Sequence, residues 1–343
     1  MIEVKNLVKY YGNHPAVDDI SFSLEKGKVY GFLGPNGAGK STTMNIMTGY
    51  LAATSGDVII NDHDILSDPE EAKRSIGYLP EQPPLYMDMT VHEYLIFAAE
   101  LKKIKRDSRK VAVMNVMEMT GLLEYKDRLI ANLSKGYRQR VGLAQAILAD
   151  PEIIILDEPT VGLDPRQIIE IRDLIRKLSV GHTIILSSHI LSEISAVCDH
   201  ILMIVRGHLI ANDTPKNLVE KYAGDLKIEM KVIGAIDEVR DVLERIDGIK
   251  ELTVTADMTD RSAVKVVLTE KEDDIRIALF NAFAAAELPV IEMKRNEPSL
   301  EDVFLRLSAE EEARVSAKRE AMEFEKMNKK NAVKEEKSND SDL

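Results

Sequence analysis

The sequence predicts an α/β protein with a partly parallel sheet, followed by a smaller α+β domain. Over residues 1–220, short apolar runs alternate with helical patterns, which is typical of strands joined by helices. After the charged, glycine-containing segment Glu220–Asp225 the pattern changes. We therefore expect a large domain at residues 1–222 and an accessory domain at residues 225–308. The runs that indicate buried strands of the first domain are Val29–Leu33, Ile153–Leu156, Thr183–Ser187 and Ile201–Val205.

The composition is that of a globular chain. Its 343 residues are 45% hydrophobic and 30% charged, which is enough to bury a core and keep a solvated surface. A net charge of -13 argues against nucleic acid as the main partner, because phosphate binding favours a basic face. Cys198 is the one cysteine, so an intrachain disulfide is excluded. The apolar runs are far shorter than the roughly 20 residues of a membrane-spanning helix, so we expect any membrane role to pass through a partner.

The remaining patterns divide both domains further. Amphipathic stretches at Val91–Ile104 and Val111–Leu123 predict a helical subdomain at about residues 88–150. The accessory domain reads strand, helix, strand, strand, helix, strand, which is the ferredoxin-like plan. A short helix, Leu300–Leu307, and a charged helical or disordered tail at residues 309–343 follow. The six accessory elements are Leu226–Ile233, Asp237–Ile246, Glu251–Thr255, Ser262–Thr269, Asp274–Ala286 and Pro289–Met293.

The strongest motif is a complete P-loop, Gly34–Ser41, between a predicted strand and a predicted helix. Glycines let the backbone wrap a phosphate group, and the following helix directs the positive end of its dipole at it. Lys40 is expected to reach the β- and γ-phosphates of a nucleotide, and Ser41 to bind Mg²⁺. The motif therefore predicts a nucleotide site.

A second motif places two carboxylates after the buried strand Ile153–Leu156. Asp157 is suited to hold Mg²⁺ through its water shell, and Glu158 to accept a proton from an attacking water. Paired carboxylates at this point are what a Mg²⁺–nucleotide site requires. Together with the P-loop they indicate a P-loop NTPase, without fixing its family.

Four further segments resemble those of the ATP-binding cassette (ABC) ATPases. Leu133–Arg140 is similar to the ABC signature, Gly162–Asp164 to the D-loop, and His189 to the switch histidine. Tyr11 matches the aromatic residue that stacks on adenine. Tyr11 or His189 alone would be typical of an ordinary packed residue, but six elements in the family's order indicate membership. The resemblance covers residues 1–220.

Two segments depart from the family pattern. In the signature, usually Leu-Ser-Gly-Gly-Gln, Lys135 and Tyr137 replace a glycine and the glutamine, whereas Ser134 and Gly136 are kept. In Gly77–Gln82, Glu81 aligns with the family's Q-loop glutamine and Gln82 follows it. Both stay candidates for the residue that senses Mg²⁺ and the attacking water, and Glu81 is favoured by its position.

The resemblance implies the ABC form of the P-loop NTPase fold: a RecA-like α/β core, an antiparallel β part and a helical subdomain. It implies ATP and Mg²⁺ as ligands, with Glu158 and His189 as catalytic residues. In this family two subunits associate head to tail, and the signature of one completes the ATP site of the other. The ATP-binding residues so implied are Tyr11, Gly34, Pro35, Asn36, Gly37, Ala38, Gly39, Lys40, Ser41 and Thr42, and the residues that face the partner's ATP are Ser134, Lys135, Gly136, Tyr137 and, in the D-loop, Asp164.

The expected partners are a second ATP-binding subunit and a separate membrane permease, which would hold the chain at the cytoplasmic face. Glu297–Phe304 resembles the closing motif of ATPase subunits that serve ABC-2-type exporters, but it is equally typical of an amphipathic helix that covers the small domain. The alternative is an ABC ATPase without a permease. Such proteins usually carry two cassettes or a long inserted coiled coil, and this chain has neither. A phosphotransferase would leave Ser134–Arg140 and His189 unexplained.

Overall fold

A computed structural model of the protein describes residues 1–222, 227–256, 263–270, 275–296 and 299–317. The chain divides into two compact units. The first contains Met1–Pro215 and the described residues from Leu307 onward, and the second contains Lys216–Arg306. Every nucleotide motif found in the sequence lies in the first unit.

The first unit is built from two sheets and the helices around them. Its strands are β1 (Ile2–Tyr11), β2 (His14–Leu24), β3 (Val29–Leu33), β4 (Ser55–Ile60), β5 (His63–Asp64), β6 (Ile76–Leu79), β7 (Ile153–Leu156), β8 (Thr183–Ser188), β9 (His200–Val205) and β10 (His208–Asp213). Its helices are α1 (Lys40–Met47), α2 (Pro69–Arg74), α3 (Val91–Leu101), α4 (Arg106–Met119), α5 (Lys135–Ile147), α6 (Pro165–Leu178) and α7 (Leu191–Val197).

The larger sheet has the strand order β10-β9-β3-β8-β7-β6. Its strands run parallel except for β10, which pairs antiparallel with β9 at one edge. All residues of β3 and β7 are buried, which is why these strands read as continuous apolar runs. Because parallel strands end at the same edge, the loops after β3, β7 and β8 come together there.

The smaller sheet is antiparallel, with the order β2-β1-β4-β5, and shares a core with the larger one. Phe22 of the smaller sheet meets Phe32 of the larger sheet edge to face, with ring centroids 5.4 Å apart. Met44 and Ile46 of α1 enter the same core. This packing fixes α1, and with it the P-loop, between the two sheets.

Helices α3, α4 and α5 form the helical part of the first unit. Thr90 and Glu93 make a capping box that starts α3, and Ser134 caps α5 by accepting the Tyr137 N–H. The inward positions Leu95, Val113 and Leu143 are fully buried. The sequence-predicted α/β core, antiparallel part and helical part are therefore confirmed as the fold class.

The second unit has the ferredoxin-like arrangement predicted from the sequence. Its sheet is antiparallel, with the order β12-β13-β11-β14, and its core joins Met230 and Val266 of the sheet to Leu243 and Phe283 of the helices. Its elements are α8 (Pro215–Tyr222), which straddles the boundary, β11 (Lys227–Ile233), α9 (Ile236–Leu243), β12 (Ile249–Ala256), β13 (Ala263–Glu270), α10 (Arg276–Ala285) and β14 (Val290–Asn296).

The described end of the chain is one continuous helix. This helix, α11, occupies residues 300–317 and so joins the expected helix Leu300–Leu307 to the helical start of the expected tail. It starts at a cap in which the Ser299 hydroxyl donates to Asp302 Oδ2 at 2.6 Å. The helix continues past Leu307 because the following residues are good helix formers with no glycine or proline. Glu297 and Pro298 of the exporter-like motif, and residues 318–343 of the expected tail, lie outside the described residues.

Candidate functional site

The P-loop connects the end of β3 to the start of α1, as the sequence predicted. Gly39 adopts φ 106°, and a Cβ added there would lie 2.5 Å from the Ala16 carbonyl oxygen. A side chain at Gly34 would overlap the Ile204 carbonyl. These positions need glycine because both the backbone angle at Gly39 and the close neighbours exclude a side chain.

Lys40 is turned into the site. Its side chain is 5% exposed, and Nζ donates to the Gly34 carbonyl at 2.8 Å and the Pro35 carbonyl at 3.3 Å. The same ammonium group lies 3.4 Å from Glu158 Oε1. A cation held this way by loop carbonyls and one carboxylate is available to an incoming phosphate group.

An oxygen-rich cluster lies beside Lys40. Asp157 Oδ1 accepts from Ser41 Oγ at 3.1 Å and from Ser187 Oγ at 2.6 Å. Hydroxyl and carboxylate oxygens are the ligands that Mg²⁺ prefers, so this donor set fits the metal that the family implies. Ser187 was missed by sequence reasoning, although its place near the end of β8, two residues before His189, was a signal.

Glu158 is the most constrained residue of the site. It is 6% exposed and adopts φ 48°, a left-handed conformation that costs a non-glycine residue about 1 to 3 kcal/mol. Its N–H donates to Ser187 Oγ at 2.8 Å, and its Oε2 lies 3.0 Å from His189 Nδ1. The strained backbone thus directs the carboxylate at both Lys40 and His189.

Strand β6 carries a partly buried tyrosine near Asp157. Tyr78 of β6 donates through its hydroxyl to Asn45 Oδ1 at 2.8 Å. Burial, and then the negative charge of Asp157, raise the pKa of the Tyr78 phenol. This hydroxyl therefore stays protonated and adds no charge beside the carboxylates.

A cavity of about 510 Å³ lies beside Lys40, Ser41, Glu158 and His189. Ten of the sequence-predicted residues line it: Asn36, Gly37, Ala38, Gly39, Lys40, Ser41, Thr42, Glu81, Glu158 and His189. Of the two described Q-loop candidates, Glu81 lines the cavity and Gln82 does not. Sequence reasoning missed His14, Ala16 and Val161, which also line it. Tyr11 lies just before His14, is 52% exposed and has Lys9 Nζ 5.5 Å from its ring centre.

The signature and the D-loop lie together, and their described residues do not line this cavity. Asp164 caps α6 and forms a capping box with Gln167. A Cβ added at Gly136 would lie 2.5 Å from Gln167 Oε1, so the two helix starts are in close contact. Ser134 is exposed at the start of α5. Ser134 is therefore accessible from outside the chain, at the start of a helix fixed against α6.

Tyr137, which replaces the family's glutamine, is bound to the helical part. Its hydroxyl and that of Tyr125 are 2.9 Å apart, and the ring centroids are 4.1 Å apart. The hydrogen bond with Tyr125, together with burial, raises the pKa of Tyr137. Arg140 stacks on the Tyr137 ring and pairs with Glu170. The substitution is thus explained by packing against Tyr125.

Known proteins are similar in sequence to this chain over most of its length. A family model described as ABC transporter matches residues 17–161. The linearmycin resistance ATP-binding protein LnrL of Bacillus subtilis (strain 168) is 32% identical over 90% of this chain and 98% of its own. The chain belongs to the ABC transporter ATP-binding proteins. A second ABC relative, the bacitracin transport ATP-binding protein BcrA of Bacillus licheniformis, is 34% identical over 90% of this chain and 97% of its own.

A solved ABC structure extends the likeness to three dimensions. The cassette MJ0796, solved as a dimer in a post-hydrolysis state with ADP and Pi, matches with a TM-score of 0.58 and 25% identity over 62% of this chain and 98% of that chain. The ABC protein described here is therefore an ATP-binding and ATP-hydrolysing subunit of a transporter. Within the described ranges, no helix combines the length and apolar character needed to cross a membrane.

Proposed function

We propose that this subunit powers export through a separately encoded permease, working as a head-to-tail homodimer at the inner face of the membrane. One observation supports the dimer above all. Lys40, Ser41 and Glu158 line one cavity, whereas the exposed Ser134 lies outside its described lining. A second copy would bring its signature to the γ-phosphate that the first copy holds.

In this proposal the P-loop residues bind the phosphates of ATP, with Tyr11 against the adenine. Lys40 leaves the Gly34 and Pro35 carbonyls for the β- and γ-phosphates. Ser41 would hold Mg²⁺ directly, Asp157 through water, and Glu81 would sense it. When bound, the metal neutralises charge on the phosphate oxygens.

Glu158 would be the general base. Its carboxylate accepts the proton of the attacking water, and His189, 3.0 Å from Glu158 Oε2, orients the water and contacts the γ-phosphate. Moving Lys40 towards phosphate weakens the 3.4 Å ion pair with Glu158. The carboxylate is then available to the attacking water.

The partner's signature would complete the site. Ser134 and the Gly136 N–H stand at the start of α5, where the helix dipole favours an anion. Lys135 and Tyr137 flank them, and Asp164 would couple the two sites. Hydrolysis removes the γ-phosphate that holds the copies together.

The direction of transport rests on the relatives and the C-terminal motif. LnrL is described as a resistance protein and BcrA as a bacitracin transport protein. We propose that the ATP-binding cassette occupies residues 1–222, that residues 225–308 form the accessory domain, and that residues 309–343 are its tail. An ABC ATPase without a permease is the competing function, and co-purification with a multi-helix membrane protein would separate the two.

The proposal predicts that Glu158→Gln separates ATP binding from hydrolysis. The amide keeps the size of the side chain but cannot accept the proton, so turnover should fall by about 10²-fold or more while ATP still binds. The variant should accumulate as a dimer with ATP and Mg²⁺ but not with ADP, measured by light scattering.

A matched control tests the shared site. Ser134→Arg places a bulky cation where the partner's phosphate must dock, so Glu158→Gln/Ser134→Arg should stay monomeric while each copy still binds ATP. A Glu158→Gln variant that hydrolyses ATP at the wild-type rate would show that the general base lies elsewhere.

A further inference from the structure

Glu193 is a buried carboxylate that has no part in the ATP binding, Mg²⁺ binding or catalysis proposed above. It lies in the first turn of α7 and is 5% exposed. Its Oε2 accepts from Thr160 Oγ1 at 2.6 Å and from Ser188 Oγ at 2.9 Å. Burying a charge is costly unless hydrogen bonds stabilise it, so these two short bonds are what keep Glu193 in place.

The direction of each bond is determined by chemistry. A hydroxyl group can donate its proton to a carboxylate oxygen, and Thr160 and Ser188 are both donors to Glu193 Oε2. The Ser188 oxygen also accepts the Ile190 N–H at 3.0 Å. A directed chain of hydrogen bonds therefore runs from Ile190 through Ser188 to Glu193, and Thr160 joins it from the other side.

This chain connects the loops that carry the two catalytic residues. Ser188 and Ile190 flank His189, so their bond fixes the backbone on both sides of that histidine. Thr160 lies in a turn that the Val161 N–H closes onto the Glu158 carbonyl at 3.2 Å. Glu193 thus fixes the backbone beside His189 and beside Glu158 at once.

The contact between those catalytic side chains needs such support. Glu158 holds a strained φ of 48°, and such angles persist only when the surroundings enforce them. Glu193, Thr160 and Ser188 are absent from the described lining of the cavity. Their contribution would therefore reach the reaction through geometry and would leave ATP binding unaffected.

We infer that Glu193 is a positioning residue for ATP hydrolysis, which holds the Glu158 and His189 loops at their working separation through Thr160 and Ser188. The inference rests on the proposed catalytic roles of Glu158 and His189. We expect Glu193 to affect the rate of the chemical step, and Thr160 and Ser188 to act together with it.

The test compares Glu193→Ala with Glu193→Gln in the full chain. Alanine removes the acceptor of both hydroxyls, and loss of positioning should lower kcat by about 10- to 100-fold while the Kd for ATP stays within twofold. Glutamine keeps an acceptor oxygen at nearly the same place and should restore most of the rate. Thr160→Val removes one donor at constant shape and should lower kcat several-fold, whereas Ser195→Ala, at an exposed serine of α7, should change nothing.

A second arm separates positioning from a general loss of stability. In single-turnover measurements, Glu193→Ala added to Glu158→Gln should cause little further loss, because Glu193 acts through Glu158. The inference is overturned if Glu193→Ala keeps a kcat within twofold of wild type, if its loss adds fully to that of Glu158→Gln, or if kcat falls only in step with ATP binding.

Two further results keep the test decisive. If Glu193→Ala does not fold, Thr160→Val is judged by the same criteria. If Glu158→Gln itself retains the wild-type rate, the proposed catalytic site fails, whereas an inactive Glu158→Gln beside a fully active Glu193→Ala refutes the positioning role alone.

Discussion

Lys40 and Glu158 form the central pair of the site at the scale of single residues. Both side chains are nearly inaccessible, at 5% and 8% exposure, and their charged atoms are 3.4 Å apart. Removing one partner of a buried pair leaves the other charge uncompensated. A change at Lys40 therefore removes a phosphate contact and also leaves Glu158 without its described cation.

We predict that Lys40→Ala lowers ATP affinity on the order of 10- to 100-fold and abolishes turnover, because a charge-assisted contact to the β- and γ-phosphates is lost. Equilibrium binding of a fluorescent ATP analogue and phosphate release measure the two effects. Lys28→Ala is the control, since Lys28 is exposed and pairs with Glu25. A Lys40→Ala protein with normal affinity and turnover would remove the P-loop from the proposed site.

The sequence predicted the residues of the site that belong to recognisable motifs, and it missed those that lie outside any motif and reach the cavity through tertiary contacts. Lys40 and Ser41 belong to one motif, so their spacing is enough to identify them. Ala16 reaches the cavity because the Gly207 N–H donates to Ala38 and the Gly207 carbonyl accepts from Asp18, both at 2.9 Å. No local pattern encodes a contact between segments so far apart in sequence.

At the scale of elements, the signature helix is held at both ends. Its start packs on α6 through Gly136 and Gln167. Its end is held by Lys102, which follows α3 and donates to the Ala146 carbonyl at 3.1 Å and the Leu148 carbonyl at 2.9 Å. A cation at the C-terminus of a helix complements the helix dipole, so Lys102 fixes α5 against α3.

We predict a pH-dependent effect of Lys102→Met on stability. Burial lowers the pKa of Lys102 from 10.5 to about 8. Between about pH 8 and 10.5 the Lys102 amine is protonated in the unfolded chain but largely neutral in the folded chain. The free-energy cost of burying the charged amine is therefore fully present below pH 8 and is lost as the pH rises through this window. The wild type should gain stability over Lys102→Met across this window, by at most about 1.4 kcal/mol per pH unit.

Thermal unfolding midpoints at pH 7.5 and 9.5 measure this effect. Lys103→Met is the control, because the Lys103 side chain is 83% exposed and its removal should give a difference that does not change with pH. Equal midpoint differences for Lys102→Met at both pH values would mean that Lys102 stays charged throughout the window.

Helices and strands were predicted from periodicity more completely than their ends. The ferredoxin-like order of the second unit was predicted because each element carries its own apolar pattern, as Ile228, Met230 and Val232 do in β11. The burial of Glu311 in α11 was not predicted, because this residue is charged and yet only 7% exposed. Its surroundings, with Arg314 Nε at 2.9 Å and His208 Nε2 at 3.8 Å, come partly from a distant strand.

At the scale of the whole molecule, two cores divide the chain. One core lies between the sheets of the first unit, and the other lies between the sheet and helices of the second. The family model matches only within the first unit, at residues 17–161, whereas LnrL and BcrA match over 90% of the chain. The second unit is thus shared with these relatives and contains none of the nucleotide motifs.

This division predicts that a chain truncated after Tyr222 still binds ATP, because every residue that lines the cavity is retained. The truncation also removes α11, whose Glu312 lies 3.7 Å from Arg206, beside the Gly207 turn that bonds the P-loop. Exposed ion pairs contribute about 1 kcal/mol or less, so the Kd for ATP should change less than about fivefold. The truncation should change permease association or transport more than it changes the Kd for ATP.

Binding of a fluorescent ATP analogue to the truncated chain measures this, with circular dichroism to establish that the chain is folded. Glu312→Gln in the full chain is the matched control, since it removes the pair with Arg206 and keeps everything else. The two proteins should show similar small shifts in Kd if the ion pair is all that the cavity loses. A folded, truncated chain that cannot bind ATP while Glu312→Gln binds normally would mean that residues beyond 222 belong to the nucleotide site, and the two-domain division would then be wrong.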